Sequence, residues 1–322
     1  MSKLRFLCVG GATQDVFLSQ SEAFEPTHQD QRWFGRLEVG EKYDVNKIDF
    51  SIGGGATNVA VTFARQGHDA ILLGSVGHDP AGEAVIEMLK GEKVETKYIS
   101  INEKYNTGYS VLLLAPDGER TILTYRGAST YYDKRDFSLN KIDADWMHVT
   151  SLGGNMDILE QLFWEAKEKG MKIAFNPGKG ELNQPKLLRK LLTRVDILLT
   201  NKREMQQIVK GETLEELIRE AIKLVPIAVV TDSTNGAVVS DGKAIVSAGT
   251  YNPDQKTIDR TGAGDAFSSG FVLKIATGAN LIDAVHFGSA NAASVCTAVS
   301  AKTNILRAGA KLHEMKIYSK KF

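Results

Sequence analysis

The sequence predicts an α/β protein with a central, mainly parallel sheet, and two observations support that prediction. First, strand-like and helix-like segments alternate in the middle of the chain, with strands predicted at 146–150, 172–176 and 197–200 and helices at 156–169 and 184–192. Strands that alternate with helices form parallel sheets whose faces are covered by those helices. Second, the apolar runs at 4–9, 70–76 and 227–231 are short and nearly continuous, as expected for strands buried on both faces.

The composition limits the class of protein and its partners. The length of 322 residues is enough for one large α/β domain or two ordinary ones. The 39 basic residues are balanced by 39 acidic ones without a polybasic run, so we expect no nucleic-acid partner and no membrane partner. No apolar run approaches the roughly 18 residues of a membrane span. Cys8 and Cys296 lie far apart in apolar segments, which is usual in a reducing compartment, and we expect a cytoplasmic protein.

Two loops in the N-terminal part carry candidate ligand-binding residues. Asp15 follows the strand at 4–9 and is predicted in a loop at its C-terminal end, where open α/β sheets bind ligands. A loop-capping aspartate is the alternative. Gly53–Gly55 precede a helical pattern that contains Asn58. Three consecutive glycines are unfavourable in conformational entropy unless the backbone must approach something closely, although a plain turn before a helix remains the alternative.

A β-hairpin is predicted where two strand-like runs, Thr107–Leu114 and Arg120–Tyr125, flank a turn signal at Pro116–Glu119. The segment Ser19–Asp49 has no helical period and is long for a simple connection. Asp79 follows the strand at 70–76 and is predicted to cap the next helix.

The stretch Asp259–Phe267 carries the clearest chemical signal. Gly262–Gly264 leave almost no side chain before Asp265, and the spacing of Phe267, Phe271 and Ile275 predicts that a helix begins here. The first N–H groups of a helix have no internal partner and attract anions. A carboxylate at this place fits a base that takes the proton of a hydroxyl attacking a phosphoryl group, while the amides hold the developing negative charge. An ordinary first-turn acid is the alternative.

Several other nucleotide and metal motifs do not occur in the sequence. There is no Gly-x-x-x-x-Gly-Lys-[Ser/Thr] phosphate loop, and the glycines at 262 and 264 lack the third glycine of a dinucleotide site. The six histidines are scattered, without a His-Glu-x-x-His pair or a nucleophile elbow.

The chain resembles the PfkB carbohydrate kinases, the ribokinase-like family, over nearly its whole length. Asp259–Asp265 is similar to the C-terminal signature of that family, with Arg260 where the family has a second threonine, and Gly53–Asn58 is similar to its N-terminal motif. The resemblance implies one ribokinase-like domain over residues 1–322, built as a three-layer α/β sandwich. It also implies a small β-sheet lid, formed by about 19–50 and 105–127.

The resemblance also implies roles for individual residues. Asp265 would be the catalytic base and the amides of Gly262, Ala263 and Gly264 its anion hole, while Asp15, Gly53, Gly54 and Asn58 would bind sugar hydroxyls. The nucleotide would contact Asn201, Thr231, Gly236 and Asn291. Ser233 stands where the family has a glycine, and Asn291 lies in an alanine-rich helix predicted at 281–299, where a solvent-facing position is the alternative. Glu204 would hold Mg²⁺ through water, although Asn201 and Glu204 also have the spacing of a helix-capping pair. Asp259 and Thr261 could bind a monovalent cation such as K⁺.

The activity that the resemblance implies is transfer of the ATP γ-phosphoryl group to a hydroxyl of a small sugar of the ribose or fructose type. The scaffold also leaves three alternatives open. These are a nucleoside kinase of the adenosine type, a phosphosugar kinase in which Arg120 or Arg126 contacts the substrate phosphate, and a non-catalytic sensor of a sugar or nucleotide. The resemblance further implies a homodimer formed through the lid.

Overall fold

The main sheet has ten strands among the residues described by the computed structural model, which are 3–19, 21, 27–29, 32–115 and 120–322. In chain order these strands are β1 (Arg5–Val9), β6 (Asp69–Gly77), β7 (Glu95–Asn102), β10 (Trp146–Val149), β11 (Lys172–Phe175), β12 (Ile197–Asn201), β13 (Ile227–Thr231), β14 (Ala237–Ser240), β15 (Ala244–Ala248) and β16 (Ile317–Lys321). Strands β7, β6, β1, β10, β11, β12 and β13 are parallel neighbours in that order. Strands β14, β15 and β16 continue the sheet antiparallel at one edge.

Helices cover both faces of this sheet, which explains why its strands are apolar throughout. Side chains alternate between the two faces of a strand, and in β1 Leu7 and Val9 enter one apolar core while Phe6 and Cys8 enter the other. The second core also contains residues of α1 (Gly55–Arg65), α2 (Pro80–Gly91), α8 (Ala263–Ala276) and α9 (Leu281–Val295). The first contains residues of α3 (Met156–Glu168), α4 (Lys179–Leu182), α5 (Pro185–Leu192), α6 (Lys202–Ile208) and α7 (Leu214–Ala221). The predicted α/β class is therefore confirmed.

A separate four-stranded sheet lies beside the main sheet. It contains β2 (Thr13–Ser19), β5 (Lys47–Gly53), β8 (Gly108–Leu114) and β9 (Arg120–Tyr125), in the order β5, β2, β8, β9. Strands β8 and β9 form the predicted hairpin. The predicted turn at Pro116–Glu119 lies outside the described residues, as do residues 20, 22–26, 30 and 31 of the predicted lid segment. Strands β3 (Thr27–Gln29) and β4 (Arg32–Phe34) form a short antiparallel pair.

The small sheet begins earlier than the sequence predicts, at Thr13 rather than at residue 19, and it extends to Gly53 rather than to residue 50. The placement of Asp15 in a loop is therefore wrong, because this residue lies inside β2. The chain turns directly after β1 through Gly10, whose φ is +145°. A Cβ at Gly10 would lie 2.0 Å from Thr150 Oγ1, so no other residue fits there without movement.

Two helix ends bear on the site. Asp79 caps α2 as predicted, since its carboxylate accepts the Gly82 N–H at 2.8 Å. Helix α9 ends at Val295, four residues before the predicted end at residue 299, and irregular backbone follows in which Ser300 has a φ of +88°. Among the described residues, no helix is both long and apolar enough to span a membrane.

Candidate active site

Helices α1 and α8 pack against each other. Each is preceded by a glycine that no other residue can replace without strain. Gly54 precedes α1 with a φ of +92°, and Gly262 precedes α8 with a φ of +79°. A Cβ at Gly54 would lie 2.3 Å from the Gly11 carbonyl oxygen, and a Cβ at Gly262 would lie 2.3 Å from Ala301 Cβ. The two glycine motifs therefore allow two helix N-termini to be set close to neighbouring chain segments.

Asp265 and Asn58 meet between these two helices. The Asn58 amide donates a hydrogen bond from Nδ2 to Asp265 Oδ2 at 2.8 Å, although the residues are 207 positions apart in the chain. Asn58 is buried and Asp265 is half-buried in the first turn of α8. Burial raises the pKa of Asp265 above its ordinary value, while the Asn58 hydrogen bond and the charge of Lys302 oppose that rise. The structure thus brings together the predicted base and one of the predicted sugar-binding residues.

Lys302 is a residue of this site that the sequence analysis did not single out as functional. Its side chain is buried, and Nζ donates hydrogen bonds to the Ile52 carbonyl and to Asn58 Oδ1. Burial lowers the pKa of Lys302 to about 7, against the opposing effect of the Asp15 and Asp265 carboxylates. One sequence signal could have identified it, since Lys302 is the only Lys, Arg, Asp or Glu between Asp283 and Arg307.

Asp15 lies on the small sheet, close to the glycine motif that precedes α1. Strands β2 and β5 are paired antiparallel, and a Cβ at Gly53 would lie 2.1 Å from Asp15 Oδ2. A side chain at position 53 would therefore require the Asp15 carboxylate to move. Burial raises the pKa of Asp15, while Lys302 and hydrogen bonds from Ser110 and Thr13 oppose the rise.

A cavity of about 360 Å³ opens at the N-terminus of α8. Thr231, Gly236, Ala263 and Gly264, all predicted site residues, line it together with Phe267. The rest of its lining comes mainly from 249–257 and from one face of α9, namely Ser233, Thr234, Gly249, Thr250, Tyr251, Asn252, Pro253, Gln255, Thr257, Arg260, Ser289, Ala292, Ala293 and Cys296. The cavity thus reaches from the end of β13 to the first turn of α8.

Gly236 and Gly264 both lie in the cavity wall, and they differ in whether a side chain would fit there. A Cβ at Gly236 would lie 2.0 Å from the Ala248 carbonyl oxygen, whereas a Cβ at Gly264 would meet nothing within 4 Å. Gly264 is also exposed, so the protein's own packing does not require a glycine there. Ser233, which replaces the expected glycine, has a φ of +49° and so keeps a conformation that favours glycine.

Asn201 and Glu204 form a helix-capping box at the start of α6. Asn201 Oδ1 accepts the Glu204 N–H at 3.0 Å, and Glu204 Oε2 accepts the Asn201 N–H at 2.9 Å. Asn201 is the partner of Thr231 in the β12–β13 register, which places it at the same sheet edge as the cavity. Burial raises the pKa of Glu204, the hydrogen bonds of Asn201 oppose the rise, and the charge of Asp265 adds to it.

Asn291 is not among the residues that line the cavity, and it is not solvent-facing either. The residue is fully buried, and its amide Nδ2 donates to the Ala266 carbonyl at 2.8 Å. Its Oδ1 accepts the Leu306 N–H at 2.9 Å. The cavity-lining residues of α9 are Ser289, Ala292 and Ala293, on another side of the helix. Asn291 therefore links α9 by hydrogen bonds to α8 and to the segment that follows Lys302.

Asp259 lies at the centre of a network of donors. Its Oδ1 accepts the Thr261 N–H at 2.9 Å and the Thr261 hydroxyl at 2.7 Å, and its Oδ2 accepts the Ser300 N–H at 3.3 Å. Arg120 Nε, from β9 of the small sheet, lies 3.7 Å from Asp259 Oδ1. The Arg120 side chain thus supplies a positive charge at the carboxylate that is a predicted K⁺ ligand. Within the described ranges, no group of three or more His, Cys, Asp or Glu residues could hold a metal ion.

Comparison with known proteins connects this geometry to an activity. A model of the family described as "pfkB family carbohydrate kinase" matches residues 29–307. A ribokinase of Haemophilus influenzae is 25% identical to the chain, over 84% of the chain and 88% of the ribokinase. An ATP-dependent ribose-1-phosphate kinase of Halopiger xanaduensis is 29% identical, over 76% of the chain and 80% of that kinase. The crystal structure of adenosine kinase from Sinorhizobium meliloti has the same fold, with a TM-score of 0.78 at 20% identity, over 94% of the chain and 96% of that structure.

These matches define the chain as a phosphotransferase with the ribokinase-like fold. It belongs to the pfkB family of carbohydrate kinases, and it is a sugar or nucleoside kinase of that family. Kinases of this family use ATP and Mg²⁺.

Proposed function

We propose that this kinase transfers the γ-phosphoryl group of ATP to a hydroxyl of a free sugar of the ribose or fructose type. The observation that carries the proposal is the position of the Asn58–Asp265 pair. Gly264, the residue before Asp265, lines the cavity, and Asn58 lies in the first turn of α1, just after Gly53, whose Cβ position is next to the Asp15 carboxylate. A hydroxyl bound beside Asp15 and a phosphoryl group bound at the start of α8 would meet at Asp265.

Asp265 acts as the general base in this proposal. A carboxylate within reach of the attacking hydroxyl can accept its proton as the bond to phosphorus forms. The raised pKa of Asp265 makes the carboxylate a better proton acceptor than an ordinary aspartate. The amides of Gly262, Ala263 and Gly264 lie at the positive end of the α8 dipole and stabilise the negative charge on the transferred group.

ATP occupies the cavity in this proposal, with its phosphates directed at Gly264. Thr231 and Gly236 line the cavity, and Asn201 lies beside Thr231 at the same sheet edge. Glu204 would hold Mg²⁺ through water, and its charge interacts with that of Asp265. When bound, Mg²⁺ neutralises charge on the phosphates.

A free sugar is the preferred acceptor because of the groups at the Asp15 end of the site. Asp15 and Asp265 offer carboxylate oxygens to sugar hydroxyls, Asn58 offers an amide, and Gly53 and Gly54 allow close backbone approach. Carboxylates and amides in a buried setting recognise hydroxyl groups by accepting and donating hydrogen bonds.

The small sheet acts as a lid in this proposal and is also the site of dimer formation. Closure would exclude water, which competes with the sugar for the phosphoryl group. Both edge strands expose apolar side chains, with Ile48 and Phe50 on β5 and Ile122 and Leu123 on β9. Exposed edge strands tend to pair, so a homodimer would cover them. Analytical ultracentrifugation tests this point, and a mass of one 35.2 kDa chain at micromolar concentration would contradict it.

The test of the function is ADP release with Mg-ATP and a panel of acceptors. The panel contains ribose, fructose, 2-keto-3-deoxygluconate, adenosine, ribose 1-phosphate and fructose 6-phosphate. We expect turnover with a free sugar that disappears in Asp265→Asn. Turnover with adenosine or with a phosphosugar alone would reject the sugar assignment in favour of that class. Binding of ATP without turnover on any acceptor would point to a sensor.

A further inference from the structure

Lys302 is held in place by a rigid anchor outside the site. Arg65, from the last turn of α1, donates from Nη1 to the carbonyls of Lys302 at 2.7 Å and Ile305 at 3.2 Å. Arg65 is in turn paired with Glu92 at 2.6 Å, and both side chains are largely buried. The backbone of this segment is therefore fixed, and the Lys302 side chain extends from it towards Ile52 and Asn58.

The contact with Asn58 fixes the orientation of an amide. An asparagine side chain has one end that accepts and one end that donates, whereas an ammonium group can only donate. Because Lys302 Nζ faces Asn58 Oδ1, the amide nitrogen must face the other way, and there it donates to Asp265. A flipped amide would place its oxygen against the Asp265 carboxylate and its NH₂ group against the ammonium. Both contacts would be repulsive.

Lys302 also contributes charge to the site. The carboxylates that face it are Asp15 from β2, Asp265 from α8 and Glu92 from the end of α2, and the other cation is Arg65 from α1. Among the described residues, Lys302 is the cation whose charge favours ionisation of both Asp15 and Asp265. An opposite charge at short range favours the ionised form of a carboxyl group.

We propose that Lys302 is a positioning residue for phosphoryl transfer. Its ammonium holds the Asn58 amide oxygen, so that Asn58 donates to Asp265, and it places a positive charge beside that carboxylate. The inference rests on the proposed function, because it concerns Asp265 as the base. Lys302 does not contact the transferred group in this account and acts only through Asn58 and through its charge.

The first experiment follows the ionisation of Asp265 directly and does not depend on activity. Carboxyl ¹³C NMR of the wild-type protein is recorded against pH, and the Asp265 signal is assigned by its loss in Asp265→Asn. We expect the Asp265 signal to respond a second time near pH 7, as Lys302 loses its proton. A single titration step, with no second response at any pH up to the ordinary lysine pKa of 10.5, would overturn the proposal. This measurement needs no Lys302 variant to fold and no known substrate.

The second experiment uses Lys302→Met, with Lys186→Met as the control. Lys186 is exposed on α5, on the opposite face of the main sheet. In Lys302→Met we expect the acid limb of the kcat/KM profile to move up by about one pH unit, since a near cation lowers an aspartate pKa by about 1–3 units. At a pH on the acid limb of both enzymes, kcat/KM of the variant should therefore be about tenfold below that of the wild type. If the kcat/KM profile of Lys302→Met matches that of the wild type, as the profile of Lys186→Met is expected to, the proposal is overturned.

A double-mutant cycle separates positioning from a general loss of structure. If Lys302 acts through the amide of Asn58, Lys302→Met in an Asn58→Ala background should cause a smaller fall in kcat than it does in the wild type. Full additivity of the two effects on kcat would mean that Lys302 does not work through Asn58. If the acceptor panel yields no substrate at all, the proposed function fails, and the NMR titration still decides whether Lys302 and Asp265 are coupled.

Discussion

Arg120 in the small sheet and Asp259 in the loop before α8 form an ion pair that joins the two parts of the molecule. Arg120 Nε lies 3.7 Å from Asp259 Oδ1, and the Asp259 side chain is almost completely buried. A second contact also joins the small sheet to the rest of the molecule, because the hydroxyls of Ser51 in β5 and Ser300 are hydrogen-bonded at 2.6 Å. These two contacts therefore join the small sheet to the loop before α8 and to the segment that follows α9, and the first of them is electrostatic.

The first prediction concerns monovalent cations. Because Arg120 supplies a positive charge at Asp259, we expect the turnover of the wild-type enzyme to differ less than about twofold between K⁺, Na⁺ and tetramethylammonium buffers, a change of under 0.5 kcal/mol. In Arg120→Ala the carboxylate loses this partner, and K⁺ should then stimulate turnover. Arg126→Ala, at an exposed arginine just after β9, is the control. A strong K⁺ requirement in the wild type would contradict the role given to Arg120.

The second prediction concerns the base. Asp265→Asn should lose about 10²–10⁴-fold in kcat, the usual contribution of a general base, while retaining ATP binding. The control is Asp283→Asn, which changes an exposed acid in the first turn of α9. Because the pKa of Asp265 is raised, the acid limb of the wild-type profile should lie above the ordinary range of an aspartate. Retention of wild-type turnover by Asp265→Asn would remove this residue from the reaction.

The third prediction separates two glycines of the same loop. Gly264→Ala should leave thermal stability nearly unchanged, because a Cβ there meets nothing within 4 Å. It should raise the KM for ATP or lower kcat, because the methyl group would project into the space where phosphate is proposed to bind. Gly262→Ala should instead unfold at lower temperature, since its φ is +79° and its Cβ would collide with Ala301. Melting curves and ADP release distinguish the two; full activity in Gly264→Ala would argue against the anion hole.

The fourth prediction assigns Asn291 to stability rather than to nucleotide binding. Asn291→Ala removes the two hydrogen bonds that this fully buried side chain makes, one to the Ala266 carbonyl and one from the Leu306 N–H. We expect a loss of about 1–3 kcal/mol in the free energy of unfolding. The KM for ATP, measured well below the melting temperature, should stay the same. A large increase in that KM with unchanged stability would return Asn291 to the nucleotide site.

The fifth prediction concerns the pH dependence of folding. The pKa of Lys302 is about 7 in the folded protein and near its ordinary 10.5 when unfolded, so the unfolded chain holds more protons between these values. Stability from this group therefore rises with pH across that window, by about 1 kcal/mol for each pH unit. Urea unfolding of the wild type and Lys302→Met at pH 7 and pH 9 should show the wild type gaining relative to the variant. A difference that does not change with pH would contradict the low pKa.

The fold could be predicted from the sequence because buried parallel strands leave a strong pattern. Strands such as Ile227–Thr231 are apolar at nearly every position, since both faces are covered, and the helices between them carry the remaining polarity. The glycines at 53, 54 and 262 were also informative, because consecutive or closely spaced glycines before a helix indicate close backbone approach. The contacts that exclude a side chain at these positions are seen only in the structure.

The rest could not be predicted because it depends on tertiary contacts. Nothing near Asp15 shows that the chain reverses within a few residues of β1 and enters a second sheet. The helical pattern around Asn291 gives its face only approximately, and burial of its amide depends on Ala266 and Leu306, which lie far along the chain. Lys302 looks like a surface lysine until the segment that carries it is packed against α1.

The separation of Asn58 and Asp265 along the chain has a consequence for how the enzyme is made. Asn58 emerges from the ribosome 207 residues before Asp265, and Lys302 follows later still. At about 5–20 residues per second, the interval between the two is roughly 10–40 s. Throughout that time Asn58 lacks both of its side-chain hydrogen-bond partners, Asp265 and Lys302. These three residues can therefore come together only after synthesis has passed Lys302.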